Sequence, residues 1–150
     1  KRTVEVKLPV ATLIPEAYVP DIKERLAYYQ RFSSAEALEK VDELINELTE
    51  IYGRLPEETE SLADVSRIKA LAKGLHISHV ASGGASIMFK FADDYHEDKS
   101  WVFKFLQEPG IPAGFSKETL RLRIEESENI LQTGLIFLTK LNKFKTKEGL

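Results

Sequence analysis

The hydrophobic period of this chain changes at Gly74, and that change limits the folds open to it. Before Gly74 the apolar residues recur every three or four positions; after it they fall into short runs and alternations. The first period belongs to helices and the second to strands. Helices that cluster first and strands that follow point to an α+β fold rather than to alternating α/β. With 150 residues the chain is expected to form a single domain, 1–150, able to bury its own core.

The first half carries the clearest signals. Residues 4–10 (Val-Glu-Val-Lys-Leu-Pro-Val) alternate and predict an N-terminal strand, with Pro9 marking an edge or an end. Pro15 and Pro20 bracket an extended connector. A helix over about 21–32 follows, with Ile22, Leu26, Tyr29 and Phe32 as its apolar stripe. Ser33 and Glu36 have capping-box spacing and predict a helix over 35–52. At about 100° per residue, Leu38, Val41, Ile45, Leu48 and Tyr52 share one face of it. Glu36, Glu43, Glu47 and Glu50 fall on the opposite face. Gly53 stops this helix, and Pro56 suits the first turn of the next. That third helix runs to about Lys73, with Leu62, Val65, Ile68, Ala72 and Leu75 inward.

Beyond Gly74, residues 77–80 and 85–91 read as strands joined by Ser82-Gly83-Gly84, a hairpin signal. A helix is expected from about Asp98 to Gln107. Pro109, Gly110, Pro112 and Gly114 read as a connector, and 119–125 as another strand. A last helix covers about 127–144. The expected architecture is therefore an N-terminal strand and helical cluster, then a small antiparallel sheet with a long C-terminal helix.

Composition removes several functions. The chain has no cysteine, which excludes disulfides, thiolate metal sites and cysteine nucleophiles and fits a reducing, cytoplasmic location. No apolar run has the length of a membrane span, and the first ten residues lack a signal-peptide core. The formal net charge is −3, a poor match to a duplex-binding surface. The chain also starts without an initiator methionine, as a fragment of a longer protein would.

Each candidate for chemistry has a plainer reading. His76 and His79 stand at i and i+3, which in a strand point to opposite faces, and neither cysteine nor a nearby acid completes a metal set. They read as surface or strand-end histidines. Asp93, Asp94, His96, Glu97 and Asp98 crowd one loop but lack calcium-loop spacing and its glycine. A metal-dependent hydrolase built on that loop with His79 or His96 is the alternative they leave open. The Ser82–Ser86 stretch has no P-loop lysine and no helix behind it. Lys140, Lys143, Lys145 and Lys147 complement a helix C-terminus, and a nucleic-acid-binding helix is the second alternative. No catalytic, cofactor-binding or metal residue is assigned, and the chain is expected not to be an enzyme.

One charge feature departs from an ordinary solvated surface. Between Glu36 and Asp64 ten acidic residues stand against two basic ones, Lys40 and Arg54, so this segment carries about −8 in a chain of −3. Solvated helices usually mix signs at i, i+4. A basic partner surface would offset the repulsion here; a merely acidic surface is the plainer reading.

The same region carries a family resemblance. Pro15-x-x-Tyr18-Val19-Pro20-Asp21, Arg25-Leu26-x-x-Tyr29-x-Arg31 and Leu48-x-x-x-Tyr52-Gly53-x-Leu55-Pro56 follow one another, and Arg67–Ile77 ends a helix in Gly74-Leu75-His76-Ile77. Together they resemble the C-terminal domain of bacterial transcription-repair coupling factors. The match covers nearly half the chain and loosens from about Ala81; His76 stands where the family has glycine. The resemblance implies a large parent, an ATP-driven and Mg-dependent DNA translocase acting on stalled RNA polymerase, whose motor lies outside this chain. It implies a regulatory domain with no cofactor of its own. This domain packs on the parent's UvrB-like module and masks the surface that recruits UvrA for nucleotide-excision repair. Neither direct nucleic-acid contact nor a membrane is implied. Matched residue by residue, the acidic contacts to arginines of that module fall on Glu47 and Glu50, with Glu43 one turn earlier as a further candidate.

Overall fold

A computed structural model describes residues 3–150. The elements run β1 (Glu5–Lys7), α1 (Ile22–Ser34), α2 (Leu38–Tyr52), α3 (Glu57–Gly74), β2 (Ile77–Gly83), β3 (Ser86–Phe91), α4 (Ser100–Leu106), β4 (Ala113–Ser116), β5 (Thr119–Arg123) and α5 (Ile130–Lys147). The fold is α+β, as the period change predicts. The chain divides into two compact units, one comprising Pro9–Ala70 and the other the residues up to Leu8 with Leu71–Leu150.

The first unit is helical. Its core joins Ile14 and Val19 of the connector, Tyr28 and Phe32 of α1, Val41, Leu44 and Leu48 of α2, and Ala63 of α3. Asp21 caps α1 through its carboxylate to the Lys23 N–H at 2.8 Å. The capping box expected at Ser33 does not form. Helix α1 runs on through Ser34, and α2 starts at Leu38 behind Ala37, which supplies no side-chain cap. The inner face of α1 also differs from its period. Ile22 and Leu26 are exposed, while Tyr28 and Phe32 are buried. A ring of aromatics explains this: Tyr28 packs edge-on to Tyr52 and Tyr52 lies against Tyr18, with centroids 6.4 and 5.7 Å apart. On α2, Leu44 joins the buried stripe and Ile45 is only half-buried.

The connector is tied down by the motif residues themselves. Val19 N–H donates back to the Pro15 carbonyl, and Arg25 Nη1 donates to the Val19 and Pro20 carbonyls at 2.8 and 2.9 Å. The Tyr29 hydroxyl accepts from the Ile14 N–H at 2.6 Å. The Tyr18 hydroxyl donates to the Gly53 carbonyl at 2.7 Å. Gly53 ends α2 with a φ of 90°, a conformation glycine adopts without strain. Two buried hydroxyls bind backbone carbonyls: Thr59 donates to that of Leu13 and Ser66 to that of Phe32.

The second unit holds a five-stranded sheet in the order β1-β2-β3-β5-β4. It is mixed, not purely antiparallel, because β1 lies parallel to β2 at the edge. A parallel neighbour needs a long crossover, and α1–α3 lie between these strands in the chain. Along β3, Ile87, Phe89 and Phe91 are buried, and their register partners on β5 include Leu120 and Leu122. Phe137 of α5 covers Phe89 at 5.1 Å, and Phe105 of α4 packs edge-on to Phe137. Strand β4 falls where a connector is expected. Its hairpin to β5 turns through Lys117 and Glu118, both at positive φ, without the Asn-Gly that normally signals such a turn. Among the described residues no helix is long and apolar enough to cross a membrane.

Candidate functional site

Helix α2 carries its acidic residues on the side away from Val41, Leu44 and Leu48. Glu43 and Glu50, seven residues apart, are both exposed on this outer side. Glu43 sits 3.6 Å from Lys40, with both side chains mostly in water, so the pair holds it weakly. Glu50 has no ionic partner among the described residues.

Glu47 differs from both. It turns toward α1 and accepts three hydrogen bonds there. Arg31 grips it in a bidentate pair, Nη1 to Oε2 at 2.7 Å and Nη2 to Oε1 at 2.9 Å. The Tyr28 hydroxyl donates to the same Oε2 at 2.6 Å. The Arg31 guanidinium also lies over the Tyr28 ring, 5.3 Å from its centroid. Arg31, followed by Tyr28, holds the Glu47 carboxyl down to about 2. Burial, then the bond to Glu47, pushes the Tyr28 hydroxyl far above its ordinary value. The same carboxylate raises Arg31. The Glu47 side chain is 39% exposed, so one edge of it still faces water.

The acidic segment is therefore less uniform than its composition. Arg67 of α3 binds Asp64 at 2.9 Å and Asp42 at 3.0 Å, as Arg31 binds Glu47. Both arginines lie outside the counted segment and reach it only through the fold. Ile51 is a further departure. It stands one turn beyond Glu47 and is 61% exposed, the one large apolar side chain of α2 in water. It lies between the apolar and acidic faces, where a two-faced reading of the helix assigns it to neither.

The other candidates are spread apart. His76 stacks on Tyr95, with ring centroids 4.3 Å apart. His79 faces Glu5 at 3.6 Å and Ser78 at 2.8 Å. In the acidic loop, the Asp98 carboxylate accepts from the Ser100 N–H and hydroxyl at the start of α4, and Asp93 meets Lys90. Lys99 holds the loop by donating to the Tyr95 and Glu97 carbonyls, and it pairs with Glu118 at 2.7 Å. A cavity of about 480 Å³ touches His76, Asp94, Glu97 and Asp98, but Lys145 reaches into it over the Tyr95 and Trp101 rings. No group of three or more possible ligands gathers among the described residues.

The TRCF domain family model matches residues 8–102, a stretch that contains the connector, the three helices and the acidic face. The chain belongs to the TRCF domain family. Its sequence is 30% identical over 103 residues to the transcription-repair-coupling factor of Escherichia coli K12, covering 69% of this chain and 9% of that protein. With the factor of Mycobacterium tuberculosis it shares 34% over 85 residues, covering 57% and 7%. With that of Bacillus subtilis it shares 25% over 122 residues, covering 80% and 10%. The chain thus spans about a tenth of the length of these relatives. In backbone it matches a crystal structure of the C-terminal domain of transcription-repair coupling factor, with a TM-score of 0.83 at 21% identity, covering 98% of this chain and 96% of that one. The two chains share one overall fold.

Proposed function

We propose that this chain acts as a single regulatory, non-catalytic domain of a cytoplasmic transcription-repair coupling factor. Its acidic α2 face packs on arginines of the parent's UvrB-like module and masks the UvrA-binding surface. ATP binding and translocation belong to the rest of the parent. Glu50 and Glu43 supply exposed charge, and Glu47 supplies a carboxylate already set in place by Arg31 and Tyr28.

The observation that carries this reading is the outward side of α2, where Glu43 and Glu50 lack any strong partner while neighbouring acids are neutralised. A contact that must hold at rest and release on demand suits a polar interface within one chain. Each rim ion pair contributes roughly 0–1 kcal/mol, so several must act together and each is easily exchanged.

Deleting this chain from the full-length coupling factor tests the reading. UvrA binding by the truncated protein is expected to rise well above that of the full-length one. Equal binding by the two would contradict masking.

A further inference from the structure

Ile51 is out of place in a helix whose other large apolar residues are buried or half-buried. It is 61% exposed and sits four residues after Glu47 and next to Glu50. On a helix, i and i+4 side chains are neighbours, so Ile51 extends from the rim of the acidic face rather than from a separate surface. Lys40, Leu44, Glu47 and Ile51 share one row along α2 by the same spacing, and of its two apolar members only Leu44 is covered.

We propose that Ile51 is the apolar anchor of the α2 docking face, inserted into a hollow of the parent's basic module that is rimmed by guanidinium groups. The occupant follows from charge. Glu50 directly before the anchor and Glu43 two turns earlier give this side of α2 negative charge that no strong partner offsets, which a basic rim complements and an acidic or neutral one does not. Interfaces take most of their affinity from a few desolvated side chains, while charged residues around them exclude water and set the register. Ion pairs at an exposed rim are individually weak. An isoleucine beside them supplies the non-directional attraction they lack, and it survives salt that screens the charges. The inference rests on the masking role proposed above and adds the residue that anchors it.

The experiment measures UvrA binding by the full-length coupling factor carrying Ile51→Ser, Ile51→Val, or Glu43→Lys with Glu50→Lys, at low and high salt. Ile51→Ser is expected to strengthen UvrA binding about tenfold, from the lost burial of one isoleucine. Ile51→Val is expected to stay close to wild type. At high salt the wild type should keep part of its masking and Ile51→Ser should keep almost none. If the lysine pair unmasks UvrA while both Ile51 variants behave as wild type, the anchor is overturned and the masking role stands. If no variant unmasks UvrA, the masking role falls and the anchor with it. Because Ile51 is exposed, its variants should melt with the wild type; a markedly lower Tm for both would make it a folding residue and also overturn the anchor.

Discussion

Tyr28 of α1 donates its hydroxyl to Glu47 of α2 at 2.6 Å, on the same oxygen that Arg31 approaches at 2.7 Å. One carboxylate thereby clamps the two helices from the surface side while Phe32, Leu44 and Leu48 join them below. Tyr28 is nearly fully buried, so its ring is already held by packing and the hydroxyl contributes on top of it. Tyr28→Phe keeps the ring and removes only the donor. It should destabilise the domain by about 1–2 kcal/mol, toward the low end for a hydrogen bond to a charged group because Glu47 is partly in water. A shifted urea midpoint with an unchanged m value would show this. Combining it with Glu47→Gln should cost less than the two changes added.

The same clamp sets a pH dependence. Glu47 sits at about 2 in the folded chain against 4.5 for the ordinary side chain. A depressed folded value means the stabilisation is fully present above pH 4.5 and is lost as pH falls from there toward 2. Discounted for a carboxylate 39% exposed, the effect is about 1 kcal/mol. Urea melts of wild type and Glu47→Gln between about pH 6 and pH 2 should therefore converge as the acid end is approached. A constant gap would separate Glu47 from the pH response.

The outward turn of α1 gives a third expectation. Leu26→Ala should change stability by no more than about 0.5 kcal/mol, because the side chain is already in water. Phe32→Ala, in the buried core of the helical unit, should cost about 3–5 kcal/mol. The period of α1 ranks the two alike, and thermal or urea unfolding of the pair distinguishes period from fold.

These cases show where the sequence was legible. Helix α2 and its end at Gly53 follow from local period and glycine chemistry, and the structure keeps both. The face of α1 was not legible, since Tyr28 is drawn inward by Tyr52, a contact 24 positions away in the chain. The neutralised acids were hidden for the same reason: Arg31 reaches Glu47 across 16 residues and Arg67 reaches Asp42 across 25. No window along α2 contains either arginine. Strand β4 was masked by Gly114 and Pro112 and by a Lys117-Glu118 turn that carries no glycine. The Ser33–Glu36 spacing failed as a cap because α1 continues through Ser34.

For the candidate site, Glu43 and Glu50 were legible as outward charges, and the structure leaves them exposed. Glu47 was legible as an acid on that helix but not as a clamp. Changing it therefore mixes a loss of folding stability with any loss of docking, which makes it the wrong residue with which to test masking. Glu43 and Glu50 avoid that difficulty.

The most direct measurement is the Kd of UvrA for the full-length coupling factor with Glu43→Lys and Glu50→Lys, beside the wild type. With charge reversed at two rim positions, UvrA should bind roughly tenfold more tightly, and the melting temperature should not change. A Kd within about twofold of wild type, with folding intact, would contradict an acidic α2 face that masks the UvrA-binding surface.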